Sequence, residues 1–221
     1  TNLIIFRGTD QSIIGWKEDF NMAFKMPIPA HIEAVKYLDE ACKKLKGKIS
    51  LAGHSKGGNL SIFAATYCTP KNQNRISKLY NFDGPGFEQN VLSDKKYINI
   101  QEKIETYVPK KSIVGMLFDT NTEKIIVESY DNGIMQHDPL TWNVLGTNFV
   151  TTEELSKESL FIDKTLKNWL KQTDKDKREI FIEALFDVIE SAEANNISEI
   201  TENLLKSSTK MIHHFHNLDS E

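Results

Sequence analysis

Between Leu51 and Asn59 the chain reads LAGHSKGGN, and these nine residues restrict the fold more than any others. Just before them, Lys48-Ile49-Ser50-Leu51-Ala52 has the make-up of a buried strand that stops at Gly53. Just after them, the small and apolar residues from Leu60 to Tyr67 predict a buried helix, with Pro70 beyond its end, where proline commonly follows a helix. A strand that meets a helix over so short a turn must hold Ser55 in a strained backbone conformation. The neighbours must also be small, or strand and helix collide, and Gly53, Gly57 and Gly58 supply that room. A G-x-S-x-G pattern by itself arises in roughly one chain in ten of this length. The flanking strand and helix are therefore what make Ser55 a candidate nucleophile rather than a serine between glycines. A phosphate-binding loop would want G-x-x-x-x-G-K, which this turn does not contain.

The same alternation runs through the first two thirds of the chain. Leu3-Ile4-Ile5-Phe6 is an apolar run stopping at Arg7-Gly8-Thr9-Asp10, and Ala30–Lys46 carries apolar residues at helical spacing until Gly47. Ile76–Phe82, Lys103–Val108 and Ile125–Ser129 are further strand candidates. Strands alternating with helices predict an α/β fold around a mostly parallel sheet. From about Thr151 the character changes: glycine disappears, and Glu, Lys and Leu dominate. Amphipathic helices are expected over Ser159–Lys171, Asp174–Ala194 and Ile197–His214. The expected division is a core over 1–150 and a helical appendage over 151–221 packed on it, whose apolar stripes also offer a surface for self-association.

Composition narrows the partners. The net charge is -4, with lysines and glutamates interspersed, so nothing forms an electrostatic footprint for nucleic acid. No apolar run approaches a membrane span. Cys42 and Cys68 fall in helical segments and read as reduced, partly buried thiols. A cytoplasmic location is expected, although the chain opens on what reads as a strand already under way, which suggests an incomplete N-terminus. His213, His214 and His216 lie in the tail without a carboxylate or cysteine cluster, so no metal is expected there, and no cofactor is expected anywhere.

A serine hydroxyl needs a base to take its proton. Where a nucleophile sits on such an elbow, the chain order is Ser, acid, His. Of the six histidines, His31 and His54 precede Ser55 and three lie in the tail, which leaves His137, in GIMQHDPLTW. Asp83, in NFDGPGF, follows directly on a strand and is the preferred acid; Asp119, one strand later, is the alternative. Asp138 adjoins His137 in sequence and is badly placed to orient its ring. The oxyanion donors expected are the amide of Lys56, directly after the nucleophile, and that of Thr9, on the loop after the first strand, with the Thr9 hydroxyl as a third donor.

Taken in order, FRGTD, GWKEDF, GHSKGGN, NFDGPGF, SIVG and QHD resemble the Mbeg1-like family of α/β-hydrolase proteins, a bacterial family. More distantly they are similar to class 3 lipases, whose F-R-G-T and G-H-S-x-G elements they echo. The resemblance covers roughly Leu3 to Val150 and implies an α/β-hydrolase fold, a Ser–acid–His triad and an oxyanion loop at Thr9. Two departures from the lipase pattern stand out. Lys56 replaces an apolar residue, putting a cation beside the site or turning its stem outward. The stretch VPKKSIVG, where class 3 lipases carry the triad aspartate, has no carboxylate, so either Asp83 takes that role or the triad is incomplete. Two functions follow as expectations: a serine hydrolase acting on a small-molecule or lipid carboxylic ester, or a silent hydrolase-fold binding or scaffold module.

Overall fold

The computed structural model describes residues 2–9, 13–22 and 24–191. Its elements are, in chain order, β1 (Asn2–Phe6), α1 (Ile13–Asn21), α2 (Pro29–Lys44), β2 (Ile49–His54), α3 (Lys56–Tyr67), α4 (Pro70–Gln73), β3 (Ile76–Phe82), α5 (Gln89–Leu92), α6 (Lys95–Gln101), β4 (Ile104–Pro109), β5 (Lys124–Val127), β6 (Val144–Leu145), β7 (Asn148–Phe149), β8 (Thr151–Thr152), α7 (Lys157–Gln172) and α8 (Lys175–Ser191). Six strands form one sheet in the order β1-β2-β3-β4-β5-β8; the first five are parallel and β8 is antiparallel to β5. The α/β class with a mostly parallel sheet is as the sequence predicts. GWKEDF, however, lies within a helix, α1, and the hairpin β6–β7 and the edge strand β8 were not among the expected elements.

The sheet is built on β2. Leu51 and its neighbour Ala52, which project from opposite faces, are both buried, as parallel strands covered on both faces require. α3 lies across β1, β2 and β3, and is flanked by α2 and α6. Its residues from Lys56 to Thr66 are all buried, because small side chains let it approach the sheet closely. Leu38 of α2, Ile62 of α3, Leu79 of β3 and Ile100 of α6 have no exposed surface. Burial of each contributes about 2 kcal/mol of transfer free energy.

Register sets where the loops emerge. Phe6 pairs with Gly53, His54 with Phe82, and Phe82 with Tyr107. The strands therefore end nearly level, and Arg7, Ser55, Asp83 and the segment after Pro109 leave from the same carboxyl edge, where ligand sites of open α/β sheets form.

The chain divides into two compact units, one of Thr1–Gly8 and Pro29–Trp169, the other of Thr9–Ile28 and Leu170–Glu221. The first holds the sheet. In the second, α1 packs on α8, Phe20 meets Phe186 edge-on at 5.6 Å, and Ile182 and Phe186 are buried. Asp174 starts α8 by accepting the Lys177 amide at 2.9 Å. The expected helix over 197–214 and the three tail histidines lie outside the described residues. No helix of the described residues is long and apolar enough to cross a membrane.

Candidate active site

Ser55 sits between the end of β2 and the start of α3 at φ 56°, ψ -133°. A side chain at this backbone conformation costs on the order of 1–3 kcal/mol, so the surroundings must enforce it. They do so through contacts that only glycine permits. A Cβ on Gly53 would stand 2.1 Å from the Gly57 carbonyl group, and one on Gly57 would stand 2.1 Å from the Phe6 oxygen. The Ser55 amide donates to Phe82 O at 2.9 Å, and the Gly58 amide donates to Ser55 O at 2.9 Å. A serine before a helix ordinarily caps it through its hydroxyl. The Ser55 side chain makes no such bond, so the strain serves something other than helix initiation. Ser55→Gly is accordingly expected to raise unfolding stability by about 1 kcal/mol, strain relief outweighing the greater entropy of unfolded glycine. Urea denaturation checks this, and a loss of stability would mean that the turn is not strained.

Asp83 follows β3 and is itself at φ 49°, with no exposed surface. Its Oδ1 accepts from the Ser112 hydroxyl at 2.5 Å and the Gly115 amide at 3.2 Å. Its Oδ2 lies 2.7 Å from His137 Nδ1. Ser112 and Gly115 come from SIVG, the stretch without a carboxylate, so that segment holds the aspartate of the strand before it. The turn after Asp83 is fastened from below. Asn81 Oδ1 accepts the Gly84 amide at 3.0 Å, and Asn59 Nδ2 donates to the carbonyls of Pro85 and Gly86 at 3.1 and 2.9 Å.

His137 ends a 3-10 turn, Gly133–His137, and its side chain is 17% exposed. The turn is pinned at Gln136. Its Oε1 accepts the Lys111 amide at 2.9 Å, its Nε2 donates to Asp131 O at 2.7 Å, and its carbonyl accepts from Trp142 Nε1 at 2.8 Å. Trp142 is buried and meets Phe82 and Phe149. Asp138 accepts the Leu140 amide and starts the next turn. With Nδ1 donating to Asp83, the neutral His137 ring carries its lone pair on Nε2, the form a general base needs. The Ser55 hydroxyl and the His137 ring are not hydrogen-bonded to each other in this structure; such contacts commonly tighten only with substrate.

The other candidates stand elsewhere. Asp119 uses Oδ1 to accept the amides of Thr120 and Asn121, and its Oδ2 is 4.0 Å from Lys167. His31 is fully buried, with Nε2 2.6 Å from Asn59 Oδ1 and its ring stacked on Phe63, so it supports the interior of the core. Lys56 opens α3, and its amide is among the leading donors of that helix. Lys56 is buried, so of the two placements open from the sequence the outward stem is not the one seen. The Thr9 hydroxyl donates to Asp19 Oδ2 at 2.5 Å, so its proton is committed to a carboxylate and is not the third oxyanion donor expected. Gly8, just before it, runs against the elbow: a Cβ there would stand 2.6 Å from His54 O and 3.4 Å from Ser55 Cβ. Cys42 and Cys68 are free and buried, and burial pushes the Cys68 thiol up to about 12. No group of metal-binding side chains occurs among the described residues.

One residue at the site is not among those the chain order selects. His54, immediately before Ser55, places its ring 4.5 Å from that of His137, and its Nε2 lies 2.7 Å from the His137 carbonyl.

A parallel sheet whose second strand delivers a serine at positive φ into a helix is the architecture of an α/β-hydrolase-like protein. The chain belongs to the Mbeg1-like family, whose model matches residues 1–187. No curated protein and no solved structure gave a significant match.

Proposed function

We propose that the protein is a serine hydrolase of carboxylic esters, with Ser55 as nucleophile, His137 as general base and Asp83 as the carboxylate that orients it. The observation that carries this reading is the 2.7 Å contact between His137 Nδ1 and a buried Asp83, beside a serine held at φ 56°. In this mechanism Ser55 Oγ attacks the ester carbonyl carbon while its proton passes to His137 Nε2. The carbonyl oxygen becomes an oxyanion held by the Lys56 amide. Collapse of the adduct breaks the bond to the leaving alkoxide, which takes the proton from His137. Water, deprotonated by the same ring, then releases the acid and restores Ser55. Acyl transfer of this kind needs no cofactor, and the substrate is a small-molecule or lipid ester.

A series of p-nitrophenyl esters of increasing acyl length tests the reading. The expected result is turnover preceded by a burst of p-nitrophenolate comparable to the enzyme concentration, as an accumulating acyl-enzyme requires. Absence of both burst and turnover at every chain length would favour the scaffold function instead.

A further inference from the structure

His54 has no role in the proton transfers above, yet it touches the residue that carries them out. It ends β2 and is bonded directly to Ser55. A carbonyl only accepts, so the 2.7 Å contact with His137 O requires the proton of His54 to be on Nε2. His137 lies on a turn outside the sheet, and the bonds that fasten this turn at Gln136 reach Lys111, Asp131 and Trp142, none of them on the elbow. His54 supplies the missing tie. We propose that His54 is a positioning residue, whose Nε2–H holds the His137 carbonyl and so anchors the base to the residue adjoining the nucleophile. The inference rests on the assignment of His137 as base.

The ring pair adds a second constraint. His137 becomes a cation during each acyl transfer, and a protonated His54 against it would oppose that step. Its charged and titratable neighbours are His137, Asp83 and Asp138. Burial first, and His137 second, hold the His54 pKa below that of an ordinary histidine. A neutral His54 can donate through Nε2 while leaving the charge to its neighbour.

Two kinds of variant separate positioning from packing. His54→Phe keeps an aromatic ring and removes the donor. His54→Gln keeps an N–H where Nε2 stood and removes the ring. His54→Asn, whose shorter amide reaches only to the place of Nδ1, repeats the donor loss without an aromatic side chain. The expected result is a kcat lower by roughly 10- to 100-fold in H54F and H54N with KM little changed, as a misplaced catalytic group produces, and recovery of most of that loss in H54Q. A second readout needs no turnover: the downfield proton resonance of His137 Nδ1–H, assigned by its disappearance in Asp83→Asn. It is expected to persist in H54Q and to broaden by exchange with water in H54F and H54N. A sharp, unshifted resonance in both donor-lacking variants would overturn the proposal whether or not any ester is hydrolysed. Failure of the wild-type protein to turn over esters would instead strike the hydrolase reading, with the resonance still deciding the role of His54.

Discussion

Ser55→Ala is expected to lower p-nitrophenyl ester turnover by about 10⁶-fold and to abolish the burst, since losing the nucleophile costs as much as losing a whole triad. The fold should survive the change. The hydroxyl does not cap α3, and alanine occupies the same strained backbone with one atom fewer. Stability within about 0.5 kcal/mol of the wild type is therefore expected in urea denaturation. Turnover comparable to that of the wild-type protein would remove Ser55 from the mechanism.

The second large effect belongs to Asp83. Asparagine at this position can keep its oxygen on the Ser112 hydroxyl and the Gly115 amide, the two donors that now meet Oδ1. Its NH₂ group must then face His137 Nδ1, which at present also donates. To avoid two opposed donors the imidazole moves its proton to Nε2 and can no longer accept from serine. Asp83→Asn is expected to cost about 10⁴-fold in kcat, the penalty for the wrong tautomer in a serine triad. Asp119→Asn is the control. The oxygen of Asp119 that accepts the Thr120 and Asn121 amides has a counterpart in asparagine, and the side chain is 41% exposed. Its effect on turnover is expected to stay within a few-fold. A reversed ranking in steady-state kinetics would assign the acid to Asp119, and small, equal effects would point to a Ser–His dyad or a silent site.

The parts of this arrangement that the sequence displays are those encoded locally. Apolar runs ending at glycine or at a polar turn give away β1 and β2; β2 buries Leu51 and Ala52 on its opposite faces, whereas β1 is an edge strand that leaves Leu3 and Ile5 exposed. The elbow is readable because tight strand–helix contact excludes every residue but glycine at particular positions. Asp83 is readable as a carboxylate at a strand end. What it touches is not, since Ser112 and Gly115 reach it across 29 and 32 residues of chain. His54 precedes Ser55, so the order Ser, acid, His does not select it. Chain order selects a base but says nothing of a residue that grips one, and its partner lies 83 residues away. Lys56 misleads for a related reason: a lysine is ordinarily solvated, but the first turn of α3 is buried throughout. The helix α1 leaves no clear helical pattern, because its residues, IIGWKEDFN, mix glycine with charge and aromatics. The two-residue strands β6, β7 and β8 are too short to leave a periodic signal.

The central claim is that Ser55 is an activated nucleophile, and reaction with a fluorophosphonate tests it most directly, because phosphonylation needs a serine whose proton is removed by a neighbouring base. The intact, folded protein should gain one phosphonyl group, located by peptide mass mapping on Ser55, with the gain much slower in the His137→Ala variant. A protein that stays unmodified under conditions in which a known serine hydrolase is fully labelled, or that carries the group on another serine, would contradict the account.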